Sequence, residues 1–369
     1  MTNPTSVMLA AGGTGGHLFP AFALAEELAR RGVAVDLITD MRGDRYGAGF
    51  PARNVYQVPA ATLASRTPAA AAKTALALAR GTKAAHAILG KVKPAVVIGF
   101  GGYPTYPPLV AARLRGIATA VHEQNAVLGR ANRLLAKRVT AIATSFEQTK
   151  YLDGNLIAKS RFTGNPVRQA VASAALRAFE PVAALGPIRL LVFGGSQGAR
   201  FFSDSVPPAL AALPSDLKAR LHVVQQARDE DLARVQQSYA QSGIAAEVAP
   251  FFKDLPDRMA QAHLVIGRAG ASTVAELTVI GRPSLLVPLP HALDNDQLNN
   301  ARRLAESGGG WCIEQKDLTV ERMTAEIASL ITNPHTLAAA AEAAKRAGRP
   351  DAVARLADFV LELASGRTV

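Results

Sequence analysis

Val7-Met8-Leu9-Ala10-Ala11-Gly12-Gly13-Thr14-Gly15-Gly16-His17-Leu18-Phe19-Pro20-Ala21 passes from an apolar run through four glycines into an Ala- and Leu-rich segment that ends at Gly32. A strand, a glycine turn and a helix start in this order gather bare backbone N–H groups and a positive helix end in one place. That suits a phosphate or an anionic transition state, and His17 stands beside it. Val33–Thr39 follows as a second apolar run, so the β-loop-α-β order opens a doubly wound parallel sheet. Asp40 stands where a ribose-binding acid would sit in a dinucleotide fold. The glycine spacing does not support that reading: counting from Gly13, the third glycine of Gly-x-Gly-x-x-Gly falls on Leu18. No cofactor is expected, and an ordinary structural turn is the bland alternative.

The pattern then repeats along the chain. Ala95–Gly99 runs into Phe100-Gly101-Gly102-Tyr103-Pro104. Ala118–Val121 ends in His122-Glu123-Gln124-Asn125, four polar residues at a carboxyl strand end, where open α/β sheets hold ligands. Thr140–Thr144 is another strand, and Phe162–Arg168, with its Gly and Asn-Pro punctuation, reads as a linker. Beyond it, Ile188–Phe193 and Gly194-Gly195-Ser196-Gln197-Gly198-Ala199 form a second strand, glycine turn and helix start. Leu264–Gly267 leads through Arg268–Thr273 into a helix containing Glu276, and Ser284–Val287 is the last clear strand. The tail Thr336–Ala364 is Ala-rich and helical, broken near Gly348–Pro350. The fold class is α/β, with two doubly wound, Rossmann-like domains in tandem. The expected divisions are 1–163, 164–335 and a helical tail 336–369 packing back on the first domain.

With 369 residues, 49% of them hydrophobic, the chain can build two cores. A single cysteine, Cys312, excludes an intramolecular disulfide and fits a reducing compartment. The first ten residues lack the pattern of a secretory signal, and no run reaches membrane-spanning length. A soluble cytoplasmic or peripheral protein is expected. The net charge of +12 is unevenly placed: residues 1–160 hold 19 Lys and Arg against 8 Asp and Glu, or +11, and the remainder +1. That asymmetry points to an anionic surface or polymer, with a merely well-solvated basic domain as the alternative. Only 5% of residues are aromatic, which argues against single-stranded nucleic acid. The segment Pro68–Gly90 sets Leu76, Leu78, Ile88 and Leu89 beside Lys73, Arg80, Lys83 and Lys91. This is a helix able to lie on an anionic bilayer or simply to face the core. Asp294-Asn295-Asp296 has the form of a divalent-metal motif of other sugar transferases but is too short to carry that reading. Glu276 is either a helix-dipole carboxylate or an acceptor for a ribose diol.

Six ordered motifs, Gly12–His17 with Pro20-Ala21, Gly99–Tyr103, His122–Asn125, Gly164–Arg168, Gly194–Ala199 and Gly270–Glu276, make the chain resemble the MurG family along essentially its whole length. These bacterial enzymes add N-acetylglucosamine to the lipid-linked muramyl-pentapeptide precursor of peptidoglycan. The resemblance implies a glycosyltransferase of the B-type fold with a cleft between its domains, the acceptor on the N-terminal half and UDP-N-acetylglucosamine on the C-terminal half. The muramyl C4 hydroxyl attacks C1 of the sugar with inversion as UDP leaves, without metal. That requires a base, for which His17 leads and Glu123 and His122 are rivals, and positive dipoles for the diphosphate. The family also implies donor contacts from Thr14, Gly15, Gly16, Asn125, Arg168, Ser196, Gln197, Gly198, Glu276 and Gln297. Arg168 and Asn165 fall near the uridine side or the cleft, and acceptor contacts fall on Gly13, Gly101, Gly102 and Tyr103. One departure is Asp296, where the family often has His or Gln; an acid there still accepts from sugar hydroxyls. The implied partners are the UDP-sugar, the undecaprenyl-pyrophosphoryl acceptor and the anionic inner face of the cytoplasmic membrane. The Pro68–Lys91 helix with Arg113, Arg115, Arg130, Arg133 and Lys137 forms the footprint, and no nucleic acid is expected. A nucleotide-sugar epimerase of the same fold and a non-catalytic UDP-sugar-binding protein are the rival readings.

Overall fold

The computed structural model describes residues 6–12, 15–40, 49–61 and 67–367. They divide into two compact units, 1–168 with 349–369, and 169–348. In the first unit the strands are β1 (Ser6–Ala10), β2 (Ala34–Thr39), β3 (Val55–Gln57), β4 (Val96–Gly99), β5 (Ala118–Glu123), β6 (Ala141–Thr144) and β7 (Ser160–Phe162). They form one parallel sheet in the order β3-β2-β1-β4-β5-β6-β7. Its helices include α1 (Gly15–Arg30), α2 (Pro68–Val92), α3 (Tyr106–Leu114) and α4 (Arg130–Ala136). A parallel sheet covered on both faces demands unbroken apolar strands, and β1 supplies one. Val7 and Leu9 join Leu24, Leu28 and Phe359 on one face, while Met8 joins Leu89 and Leu109 on the other. The Thr67 hydroxyl caps α2 by accepting from the Ala70 N–H at 3.3 Å, with Pro68 in the first turn.

The second unit repeats the plan with β8 (Ile188–Phe193), β9 (Leu221–Gln226), β10 (Ala245–Ala249), β11 (Leu264–Gly267), β12 (Ser284–Leu286) and β13 (Gly310–Cys312), again parallel, in the order β10-β9-β8-β11-β12-β13. Around it lie α5 (Gly195–Ala211), α6 (Ala271–Ile280), α7 (Asp296–Glu306) and α8 (Pro334–Ala347), and the core runs from Ile188, Leu190 and Val192 to Phe202, Ile266 and Leu285. In each sheet the strand order reverses beside the first strand of the unit, between β1 and β4 and between β8 and β11. Ligands of open α/β sheets bind outside the carboxyl ends of such a pair.

Three sequence expectations need correction. The segment Phe162–Arg168 is not a linker. Ser160–Phe162 is an edge strand, Thr163 and Gly164 donate their N–H groups to Thr144 O at 3.0 and 3.1 Å, and the first unit extends to Arg168. The tail is not one block either. Helix α8 packs in the second unit, where the Lys345 ammonium donates to Ala175 O and Val279 O, both at 2.9 Å. The chain crosses over after Gly348, and α9 (Ala352–Ala364) buries Leu356, Phe359 and Val360 in the first unit, tied by Arg31–Asp358 and Arg161–Glu362 ion pairs. Ser284–Val287 is not the last strand, because β13 pairs with β12. Among the described residues no helix is long and apolar enough to cross a membrane.

Candidate active site

In the first unit the chain leaves β1 at Ala11-Gly12 and enters α1 at Gly15, with His17 half-buried in the first helical turn. Gly13 and Thr14 lie outside the described residues. Gly12 is enclosed: a Cβ there would come within 2.7 Å of Asp40 Oδ1 and 3.2 Å of Pro104 Cβ. The His17 ring rests on the turn that follows β4. A Cβ on Gly101 would lie 3.2 Å from His17 Cε1, and one on Gly102 would lie 3.3 Å from His17 Cδ2. Gly102, at φ 74 and ψ 164, occupies backbone space that is essentially glycine's alone. Tyr103 opens the short 3₁₀ turn, closed by the Thr105 hydroxyl donating to Gly102 O at 2.8 Å.

A chain of hydrogen bonds runs from His17 into the core. His17 Nδ1 lies 3.1 Å from Gln124 Oε1, Gln124 Nε2 lies 2.9 Å from His122 Nδ1, and His122 Nε2 lies 3.0 Å from Gly164 O. A carbonyl oxygen only accepts. His122 therefore carries its hydrogen on Nε2, and His17 carries its own on Nδ1. His122 is 0% exposed, and burial pushes its imidazole down to about 4. It is neutral at physiological pH, and both of its nitrogens are occupied, so it is no rival to His17 as a base.

Glu123, 1% exposed, is likewise committed. Its Oε1 accepts from the Asn125 N–H at 3.0 Å and Asn125 Nδ2 at 3.2 Å, and its Oε2 from the Gly129 N–H at 2.8 Å and Asn132 Nδ2 at 2.7 Å. Burial raises the carboxyl above the usual range and the four donors oppose it. The residue holds the loop between β5 and α4 and orients Asn125; it has no acceptor left for a substrate proton. The Arg168 guanidinium lies 5.1 Å from the Phe19 ring, which places it beside α1. Asn165 is buried, and neither atom of its amide has a protein partner among the described residues.

In the second unit, Gly194-Gly195 turns from β8 into α5, and no side chain described caps that helix. Ser196, Gln197 and Gly198 stand in its first turn; the side chains of 196 and 197 lie outside the described set. Gly270 begins α6, whose N-terminus also lacks a described side-chain cap, and Glu276 stands in its second turn, mostly buried. Among the described residues no side chain caps either of these helix starts, at the carboxyl ends of β8 and β11, and helix starts of this kind suit an anion. Helix α7 clamps the second of these turns. Gln297 Oε1 accepts from Ala269 N at 3.3 Å and Leu289 N at 3.0 Å, while Asn300 Nδ2 donates to Ala269 O at 3.1 Å. The Gln297 NH₂ group meets no acceptor among the described residues. His291, Asp294 and Asn295 all adopt positive φ in the approach to α7, strain that concentrates at binding loops. Asp296 Oδ1 accepts from the Gln297 N–H at 2.7 Å as a helix-end acceptor. Among the described residues no group of His, Cys, Asp or Glu is arranged to hold a metal ion.

Sequence reasoning gave no role of their own to Gln124, Asn132, Asn300 and Arg268. The last donates to Val287 O, Pro288 O and Gln315 Oε1 at 3.0, 3.1 and 2.7 Å, and burial pushes its guanidinium down to about 10. The available signal was position: Gln124 stands between Glu123 and Asn125, Arg268 follows Gly267, and Asn300 lies one helical turn from Gln297, whereas Asn132 is brought in only by the tertiary fold.

Two doubly wound units, each with a glycine turn at its switch point, have the plan of a two-domain sugar-nucleotide enzyme. The glycosyltransferase family 28 N-terminal domain matches residues 7–144 and the family's C-terminal domain matches residues 189–356. The chain is 52% identical over 364 residues to the UDP-N-acetylglucosamine–N-acetylmuramyl-(pentapeptide) pyrophosphoryl-undecaprenol N-acetylglucosamine transferase of Chelativorans sp., covering 99% of this chain and 96% of that one. It is 54% identical to the enzyme of the same name from Methylobacterium nodulans, covering 97% and 96%. The crystal structure of Acinetobacter baumannii MurG superposes with a TM-score of 0.81 at 29% identity, covering 97% of this chain and 100% of that one. The chain belongs to this MurG family of N-acetylglucosamine transferases within glycosyltransferase family 28.

Proposed function

We propose that the chain moves N-acetylglucosamine from UDP-N-acetylglucosamine to the C4 hydroxyl of a lipid-linked muramyl-pentapeptide, with inversion at C1 and His17 Nε2 as the general base. Relatives of more than half identity along nearly the whole chain, all named for this transfer, support the reaction over the epimerase reading. The observation that supports the base is the hydrogen bond from His17 Nδ1–H to Gln124 Oε1, which leaves Nε2 as the atom with a lone pair. Inversion in one displacement needs no enzyme nucleophile: Nε2 takes the hydroxyl proton, the C4 oxygen bonds C1, and the C1–O bond to UDP breaks with its electrons on the diphosphate.

The second unit suits the donor. The N-termini of α5, with Ser196, Gln197 and Gly198, and of α6 meet the charge that grows on the departing diphosphate. Glu276 accepts from the ribose hydroxyls. The Gln297 NH₂ group donates to a sugar hydroxyl while its carbonyl holds the loops in place. Gly15, Gly16, Asn125, Arg168 and the undescribed Thr14 complete the donor contacts, and Gly13, Gly101, Gly102 and Tyr103 take the acceptor.

The first unit also suits the inner face of an anionic membrane. Along α2, α3 and α4 the exposed side chains include Lys73, Leu76, Arg80, Lys83, Arg113, Leu114, Arg115, Arg130, Leu134 and Lys137, with Leu114 70% and Leu76 53% exposed. Exposed leucines among cations fit an interfacial contact with anionic lipid. Replacing His17 with Ala tests the base: turnover falls by about 10²–10⁴-fold, the contribution of general base catalysis, and full turnover in that variant refutes it.

A further inference from the structure

We propose that Gln124 is a positioning residue that sets which nitrogen of His17 carries hydrogen, and so aims the basic atom at the acceptor; this rests on His17 being the base. Gln124 is 2% exposed. Its Nε2 lies 2.9 Å from His122 O as well as 2.9 Å from His122 Nδ1. Neither atom tolerates an oxygen opposite it: a main-chain carbonyl never donates, and His122 Nδ1 has no hydrogen because His122 Nε2–H is given to Gly164 O at 3.0 Å. The NH₂ group therefore faces His122, the oxygen faces His17 Nδ1, and a flipped amide would set two pairs of like atoms against one another.

The consequence is chemical. A free histidine side chain favours hydrogen on Nε2, the atom that has to receive a proton here. Gln124 reverses that preference without introducing a charge beside the buried Glu123. Burial supports the arrangement, since a doubly protonated His122 would point Nδ1–H at the amide hydrogens and turn the amide over. The role parallels that of the third member of a catalytic triad, where the wrong tautomer alone removes most of the rate.

The test uses the full chain with ¹⁵N-labelled histidine. Two-bond ¹H–¹⁵N correlation spectra of the free enzyme are recorded near pH 8, beside turnover of UDP-N-acetylglucosamine with a lipid-linked muramyl-pentapeptide. The wild-type His17 ring is expected to show the Nδ1–H pattern. Gln124→Met is expected to shift it toward Nε2–H and to lower kcat about 10²-fold, within the range of general base catalysis, with KM for the donor nearly unchanged. An Nε2–H pattern for His17 in the wild type overturns the proposal by itself, whether or not the variant folds. So does a folded Gln124→Met enzyme with unchanged kcat. His17→Ala separates the two readings: turnover surviving that change removes the base while leaving the tautomer measurement standing.

Discussion

Replacing Gly102 by Ala places a methyl group in tight contact with the His17 ring and Pro104. Two costs are separable. The backbone at φ 74 and ψ 164 lies in a region that residues with a Cβ occupy at about 1–3 kcal/mol. The new Cβ would also stand 3.3 Å from His17 Cδ2, 3.4 Å from His17 Nε2 and 3.3 Å from Pro104 Cδ. The proline is fixed in the 3₁₀ turn, so the imidazole gives way by a few tenths of an ångström and its 3.1 Å bond to Gln124 suffers. The expected result is a loss of about 1–3 kcal/mol in urea unfolding followed by far-UV circular dichroism. A fall in kcat of roughly 10- to 100-fold is expected with it, since a 1 Å misplacement costs about 10²-fold. Gly116→Ala is the control. Its φ of +68 carries a backbone cost, but nothing lies within 4 Å of its Cβ position, so it loses stability and keeps kcat. If Gly102→Ala turns over within twofold of wild type, or Gly116→Ala loses as much kcat, the placement of His17 on this turn is refuted.

Glu123→Gln is expected to lose about 2–4 kcal/mol of stability, because either orientation of the new amide sets its NH₂ against two buried donors; unchanged unfolding with abolished turnover would instead return Glu123 to the chemistry. The buried His122 predicts a pH dependence. Its imidazole is lowered to about 4 in the folded chain against 6.5 unfolded, so the unfolded state binds the extra proton between these values. Stability falls as pH drops through that window, by about 3 kcal/mol in total; a flat urea midpoint from pH 7 to 4.5 would contradict the buried neutral ring. Gln297→Ala is expected to raise KM for UDP-N-acetylglucosamine about tenfold, the scale of a lost hydrogen bond of ~1.4 kcal/mol. KM for the acceptor should stay unchanged, and equal effects on both substrates would refute the donor assignment.

The doubly wound plan was legible because a glycine cluster between an apolar strand and a helix is forced by local backbone requirements, and the chain writes that unit more than once. Gly101 and Gly102 are legible for the same reason. What His122, Glu123 and Gln124 do was not. Three adjacent polar residues at a strand end look alike in sequence, and only tertiary neighbours distinguish them. Gly129 and Asn132 consume the carboxylate, Gly164 fixes one ring, and His17 meets the amide. Edge strands such as β3 and β13, each of three residues, are too short to show a period. The division of the tail was hidden by uniform alanine content. What decides it is close packing: a Cβ on Gly348 would come within 2.5 Å of Thr278 O, and Phe359 is 0% exposed in the first unit's core.

The central claim is most directly tested by incubating the purified chain with UDP-N-acetylglucosamine labelled in the sugar and a lipid-linked muramyl-pentapeptide, then analysing the lipid fraction by mass and anomeric coupling. The account predicts one N-acetylglucosamine joined in β configuration to the muramyl C4 oxygen, with one UDP released per sugar transferred and the rate collapsing in His17→Ala. Label remaining as free or epimerised sugar, or an α linkage, would contradict it.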